Sequence, residues 1–310
     1  MVLFIFVDGL GINYRKENNP LFDEKLKFLN KVIFEDSVPL NAKMGVEGIP
    51  QSATGQASIF TGKNCAKILG YHKEGFPNER LKKILKKESI FQFLKGKNLK
   101  STFANGFIVD DKEFLDNSRF VSATTYMTLS SLGIVRGLSK LNENKAVYQD
   151  ITNETLITRD KMEKRYEKLF PRIKDYLDFN QLNSLKKISP QKAARNLLNI
   201  ADEYDFTLFE YFLTDKAGHL GDYSRANKVL LKFQELFYTL LEEMDFNSDS
   251  LIMISDHGNI EDLSISKHTF NRVPFYIKGK NQKMFSKAEY IYDIIKIFKA
   301  NIHKFYNLQL

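Results

Sequence analysis

Three apolar runs in this sequence end in the same kind of residue, and that repetition constrains the fold more than any other feature. Leu251-Ile252-Met253-Ile254 stops at Ser255-Asp256-His257-Gly258-Asn259, and Val2-Leu3-Phe4-Ile5-Phe6-Val7 stops at Asp8-Gly9-Leu10-Gly11. A third run, Phe206 to Leu213, leads into Thr214-Asp215-Lys216-Ala217-Gly218-His219. Uninterrupted apolar runs bounded by polar residues read as strands buried on both faces, the pattern of a parallel sheet covered by helices. In open sheets of that kind the functional groups lie beyond the carboxyl ends of the strands. Asp8, Asp215 and Asp256 are therefore expected along one edge, with His219 one helical turn from Asp215. Taken singly, each acid is equally well read as a capping carboxylate in a turn.

Between these runs the pattern is helical. Apolar spacing predicts helices over Phe22 to Phe34, Leu81 to Leu94, Gln191 to Tyr204, Tyr223 to Met244 and Ala288 to Phe298, with further strands at Lys100 to Asn105 and Val273 to Ile277. From about Phe107 to Ser189 the alternation breaks into Ser/Thr-rich pieces, a turn at Asn142 to Asn144 and a charged helix from Arg159 to Leu177. Residues 1–106 and 190–310 are thus expected to form one α/β core, a mostly parallel central sheet flanked by helices, with 107–189 a small inserted cap-like lobe. A chain of 310 residues with 43% hydrophobic side chains can bury such a core. The net charge of +8 suits acidic ligands such as phosphates, but the lysines are scattered, so nucleic-acid binding is not expected. One cysteine, Cys65, leaves no internal disulfide and fits a reducing compartment. With no long apolar span and the first apolar run ended by Asp8, the expectation is a cytoplasmic protein that does not enter a membrane.

The chemistry-bearing residues cluster around the strand ends. Pro50 to Gly62 is small and hydroxyl-rich, and a hydroxyl entering a helix there meets backbone N–H groups and a dipole that favour an anion, which makes Ser52 or Thr54 a candidate nucleophile. His72 and Lys73 lie in a polar loop where they could face an anionic substrate. Of five histidines, His219, His257 and His268 fall beside strand ends, whereas His303 reads as a surface residue. Asp8, Asp215 and Asp256 with these three imidazoles supply six ligand-type groups, enough for two divalent ions sharing a site. Two ions about 4 Å apart can clamp the attacking and leaving oxygens of an in-line phosphoryl displacement and lower the pKa of a coordinated hydroxyl.

Val7-Asp8-Gly9, Gln51-Ser52-Ala53-Thr54-Gly55, Thr214 to His219, Ser255 to Asn259 and Lys267-His268-Thr269 with Val273-Pro274-Phe275 follow one another in an order and spacing that resembles the alkaline phosphatase superfamily. The resemblance is to the branch with cofactor-independent phosphoglycerate mutase and phosphopentomutase, and it covers the core from both ends. It implies one metal held by Asp8, Asp256, His257 and the Ser52 oxygen, and the other by Asp215, His219 and His268. It also implies Ser52 as nucleophile over Thr54, Mn or Zn as the two divalent metal ions, and a small phosphorylated substrate. The implied activity is phosphatase or phosphomutase chemistry on a phosphate monoester through a phosphoserine. Thr54, His72, Lys73 and Arg136 are the candidates for contacting substrate. Gln51 stands where relatives carry Asp or Asn, Gln56 where the mutases carry His, and the middle lobe is shorter than their caps. The sulfatase pattern at the nucleophile does not fit Ser52-Ala53-Thr54-Gly55-Gln56. Two other functions are compatible with parts of the pattern, a phosphodiesterase or nucleotide pyrophosphatase and a non-catalytic anion-binding protein.

Overall fold

The computed structural model describes residues 1–110, 121–157, 163–164 and 173–306. In chain order the first part runs β1 (Val2–Val7), α1 (Lys27–Phe34), β2 (Val38–Leu40), α2 (Ser52–Thr61), α3 (Cys65–Leu69), α4 (Glu79–Glu88), α5 (Ile90–Gly96) and β3 (Ser101–Phe103). The middle holds β4 (Asn105–Gly106), α6 (Ala123–Leu132), α7 (Leu138–Asn142), β5 (Val147–Tyr148) and α8 (Phe179–Ser184). Then follow α9 (Pro190–Ala201), β6 (Phe206–Tyr211), α10 (Leu213–Leu220), α11 (Tyr223–Glu243), β7 (Ser250–Ser255), β8 (Val273–Gly279), α12 (Asp293–Ala300) and α13 (Ile302–Tyr306).

Six strands form one sheet in the order β2-β8-β7-β1-β6-β3. Strands β3, β6, β1 and β7 are parallel, while β8 runs antiparallel to β7 and β2 antiparallel to β8. The three apolar runs are the adjacent strands β6, β1 and β7, in register Val7↔Tyr211 and Val7↔Ser255, so the acids that follow them emerge side by side. Alternate residues of each strand feed two cores. Phe4, Phe6, Leu208, Ile252 and Ile254 face the layer of α2, α4, α5 and α12. Leu3, Ile5, Phe209, Leu251 and Met253 face the layer of α1, α9 and α11. Burial on both faces explains why these strands read as continuous apolar runs and not as alternating ones.

The segment 107–189 contributes to three places. Ala123 and Met127 of α6 pack into the first core and Val147 and Ile151 into the second. Ile108, Val109, Leu138, Leu141, Tyr148, Leu156, Ile173, Leu177, Leu182 and Leu185 form a third cluster of their own. The charged helix expected over Arg159 to Leu177 lies largely outside the described residues; in its described part Lys174–Tyr176 is a single 3-10 turn.

Local departures from the expected elements have local causes. Leu81 to Leu94 is two helices, because Ser89 is extended (φ −61°, ψ 160°) and its hydroxyl caps α5 at the Gln92 amide. The apolar period carries across the break since Leu81, Leu85, Ile90, Phe91 and Leu94 all enter the same core. Phe22 to Phe34 begins as two 3-10 turns before α1, and the strand that begins at Phe206 ends at Tyr211, with Leu213 already helical. The helix expected from Ala288 starts only at Asp293, and His303 lies in α13. Among the described residues no helix is long and apolar enough to cross a membrane.

The end of α2 is fixed as firmly as its start. Gly62 closes it at φ +74°, where a Cβ would lie 2.8 Å from the Lys296 amide nitrogen. Lys299 reaches from α12 to donate to the carbonyl oxygens of Thr61 (2.9 Å) and Glu88 (2.6 Å), capping α2 and α4 at once. Burial lowers the Lys299 ammonium to about 8.

Truncating Ile252, which is fully buried at the centre of the sheet, should cost about 2–5 kcal/mol in the Ile252→Ala variant. Ile134→Ser, at a side chain 66% exposed, should stay within about 0.5 kcal/mol of the unaltered chain. Denaturant titration of both variants checks the contrast.

Candidate metal centre

Asp8 and Asp256-His257 follow β1 and β7 directly, Asp215 lies in the first turn of α10 after β6, and tight turns let their backbones meet. Gly9 sits at φ +70°, where a Cβ would fall 2.7 Å from the Asp215 Cα. Gly55 lets α2 lie against the end of β7, since a Cβ there would be 2.8 Å from the Asp256 Cβ. Ser52, the first residue of α2, thereby comes to the strand ends, with its Oγ 2.9 Å from His257 Nε2. The hydroxyl stands at a helix N-terminus, where exposed amides and the dipole favour an anion.

Two groups of ligand-type atoms converge here, Asp215 with His219 and His268, and Asp8 with Asp215 and His257. In the first, His219 Nε2 and His268 Nε2 are 3.1 Å apart and each is 3.4 Å from Asp215 Oδ1. In the second, His257 Nε2 is 3.2 Å from Asp8 Oδ1, and Asp256 Oδ2 adds a further oxygen at 3.6 Å. The His257 and His268 rings stack at 3.7 Å and 14°, which places the two groups against each other. Asp215 belongs to both.

The donor set fits divalent cations. His219 Nδ1 faces the Ser266 carbonyl at 2.8 Å and His268 Nδ1 the Pro50 carbonyl at 3.0 Å, so a neutral ring donating from Nδ1 would turn its Nε2 lone pair inward toward a cation. Two such nitrogens and a carboxylate oxygen this close need positive charge among them. Asp8 Oδ1 and Asp256 Oδ2 are buried without a hydrogen-bond partner, a costly state for a carboxylate that a cation would relieve.

The titration of these groups shows the same demand. Burial raises the Asp8 and Asp256 carboxyls above their ordinary range, helped by the Asp215 charge at Asp8 and by the Asp8 charge at Asp256. Burial acts likewise on Asp215, but hydrogen bonds from His219 and His268 outweigh it and hold that carboxyl below its ordinary range. The hydrogen bond to Asp215 pushes His219 up to about 9. Burial pulls His257 down, yet the neighbouring Asp256 and Asp8 carry it to about 10.

Of the residues expected from sequence, Asp8, Ser52, Asp215, His219, Asp256, His257 and His268 are brought together. The other four are placed differently. The Thr54 hydroxyl is fully buried, donating to the Gln51 carbonyl and accepting from the Lys73 amide, so it ties a loop to α2. The Lys73 backbone is tied to α2 by that bond, and its ammonium donates to the Glu74 carbonyl. His72 is half-buried, neither ring nitrogen has a hydrogen-bond partner, and burial lowers its pKa. Arg136 does not join the group: its guanidinium donates to the Lys145 carbonyl and Thr102 Oγ1 and stacks over Tyr204, whose chain leads into the opposite end of β6.

Sequence reading missed the residues that hold the ligands. Asn259, read as part of a turn, donates to Asp215 Oδ1 at 2.7 Å and to the Asp215 carbonyl. Gln56 is buried and donates to Asp8 Oδ2 at 3.2 Å. Glu210, enclosed on β6, accepts from the Thr124 hydroxyl at 2.6 Å, and burial raises its carboxyl to about 8. An acid inside an apolar run was the available signal for Glu210.

Gly55→Ala should force α2 away from Asp256 and weaken metal binding in a calorimetric titration while the far-ultraviolet circular dichroism stays unchanged. In the metal-free folded chain Glu210 keeps its proton up to about 8, against 4.5 when unfolded, so the folded state binds more protons across that interval. The stability this contributes is complete below the unfolded value and is lost as pH rises through the folded one. Glu210→Gln should therefore lessen the fall in melting temperature of the metal-free protein between about pH 5 and pH 8.

The family described as Metalloenzyme superfamily matches residues 1–304. The 2,3-bisphosphoglycerate-independent phosphoglycerate mutase of Mycoplasmoides gallisepticum is 34% identical over 99 residues, 30% of this chain and 20% of that protein. The enzyme of the same name from Methanococcus aeolicus is 26% identical over 110 residues, 36% of this chain and 27% of that protein. The matched stretches thus span about a fifth to a quarter of these curated relatives. Among solved structures, the PH0037 protein from Pyrococcus horikoshii superposes with a TM-score of 0.55 at 13% identity, covering 100% of this chain and 98% of that one. Alkaline phosphatase from the Antarctic bacterium TAB5 gives 0.50 at 14% identity, covering 96% and 97%. These two likenesses are of fold, an α/β sandwich around a mostly parallel sheet. With the family match running almost end to end, this chain belongs to the Metalloenzyme superfamily.

Proposed function

We propose that the chain is a two-metal phosphoryl-transfer enzyme that acts on a small phosphate monoester through a phosphoserine at Ser52. The observation that carries this reading is the Ser52 hydroxyl at the start of α2, 2.9 Å from His257 Nε2, beside two ligand groups that share Asp215. Asp8, Asp256, His257 and the Ser52 oxygen would hold one ion, and Asp215, His219 and His268 the other. When bound, the ions supply Lewis-acid stabilisation of charge on the phosphoryl group and lower the pKa of the serine hydroxyl.

The chain's own residues then account for the rest. Ser52 Oγ, its proton released to solvent, forms the new bond to phosphorus as the ester oxygen departs and takes a proton from solvent, and the N-terminus of α2 orients the anion. Water or a second hydroxyl displaces Ser52 in the reverse sense and restores its hydroxyl. Water as acceptor gives a phosphatase, and a substrate hydroxyl gives a phosphomutase, the activity in the names of the curated relatives. We assign that choice to how well the lobe expected over 107–189 excludes water from the centre. Three carboxylates with three imidazoles suit Mn or Zn, and the single buried Cys65 suits work in the cytoplasm.

Ser52→Ala should keep both metals by elemental analysis, form no acid-stable phosphoenzyme, and lose turnover by about a thousandfold or more; an unchanged rate would remove Ser52 as nucleophile. With Mn²⁺ or Zn²⁺ supplied, the unaltered protein should cleave an aryl phosphate monoester faster than the matching diester. The opposite preference would replace this reading with a phosphodiesterase.

A further inference from the structure

We propose that Glu261 is the positioning residue of the centre: its two carboxylate oxygens lock together the loops that carry the ligands of both ions. The inference rests on the metal-centre reading above. Glu261 is fully buried. Its Oε2 accepts from the backbone amides of Gly11 (2.9 Å) and Asn259 (2.7 Å), and its Oε1 from the Thr269 hydroxyl and the Asn271 side-chain amide (3.0 Å). Gly11 follows Asp8 by three residues, Asn259 follows His257 by two, and Thr269 is next to His268. Helix α10 joins indirectly, because the amide of Asn259 that Glu261 anchors belongs to the residue whose side chain holds Asp215.

The chain makes room for this carboxylate. A Cβ at Gly11 or at Gly258 would come within 2.2 Å of Glu261 Oε1, so glycine is required at both positions for the acid to fit. All four donors are neutral, and the two from backbone cannot turn away. A carboxylate offers lone pairs on both oxygens and can accept all four at once, whereas a glutamine of the same shape can accept on one side only. Its NH₂ group would be driven to the Oε1 side, where the Thr269 hydroxyl can rotate and the Asn271 amide can turn. The consequence is specific: the Oε2 contacts that hold the Asp8 and His257 loops survive in Glu261→Gln, while on the Oε1 side the bonds persist only with Thr269 and Asn271 turned to accept, which shifts the stretch next to His268. A residue that merely filled space would affect stability without distinguishing the two ions.

The experiment is a Mn²⁺ titration of the metal-stripped, full-length protein by calorimetry, with melting temperatures recorded alongside. In Glu261→Gln one of the two ions should bind about tenfold to a hundredfold more weakly, with the other unchanged within about twofold. Thr269→Val, which removes the hydroxyl donor and keeps the side-chain shape, should weaken the same ion and serves if Glu261→Gln fails to fold. A lowered melting temperature with both affinities within twofold of the unaltered protein would overturn the positioning role and leave the metal centre standing. Failure of the unaltered protein to bind Mn²⁺ or Zn²⁺ would overturn the metal centre itself.

Discussion

Three carboxyls and three imidazoles, four of them closed off from water, can stay together only with positive charge among them, and the rest of the structure serves that requirement. Asp256 and His257 are fully enclosed, Asp8 and His268 almost so. Protons supply part of the charge, which is why His219 and His257 rise while Asp8 and Asp256 are driven toward their neutral forms. Protons leave Asp8 Oδ1 and Asp256 Oδ2 without partners, a deficit that coordination by a multivalent cation removes. The parallel sheet makes the gathering possible. Side-by-side strands end at one level, so two loops and the first turn of α10 deliver their acids to a single edge without any long excursion of the chain.

The core was legible in the sequence because its strands are buried on both faces, and such burial leaves an unbroken apolar run that ends where the polar edge begins. Val2–Val7 and Leu251–Ile254 carry that signature unbroken and Phe206–Tyr211 with Thr207 and Glu210 inside it, and the ligand residues follow each within a few positions. The residues that set the ligands' orientation left no such trace. Asn259, Gln56 and Glu261 each act on groups far away in the chain, through hydrogen bonds that depend on the packed geometry. Arg136 illustrates the converse. An arginine in a polar segment is compatible with anion binding, and only the fold reveals that its donors hold Lys145 and Thr102. The middle segment was legible only as a change of pattern. Its buried residues are divided among three clusters, so no single period runs through it.

Gln56 donates to Asp8, so this position contributes an amide to a ligand carboxylate and no titratable ring. Two residues earlier on the same helix, Thr54 ties the Lys73 loop to the start of α2.

Helix α2 is anchored at both of its ends. At its start Ser52 meets His257 and Thr54 binds the Lys73 loop; at its close Gly62 presses on Lys296 and Lys299 grips the Thr61 carbonyl. A rod fixed at two points can neither slide nor tilt appreciably, so the serine oxygen occupies one position before any ligand arrives. Under the proposed phosphoryl transfer, the entropy of aligning that oxygen with phosphorus would be lost during folding and not at each encounter. The incoming molecule would then have to turn to meet a stationary atom.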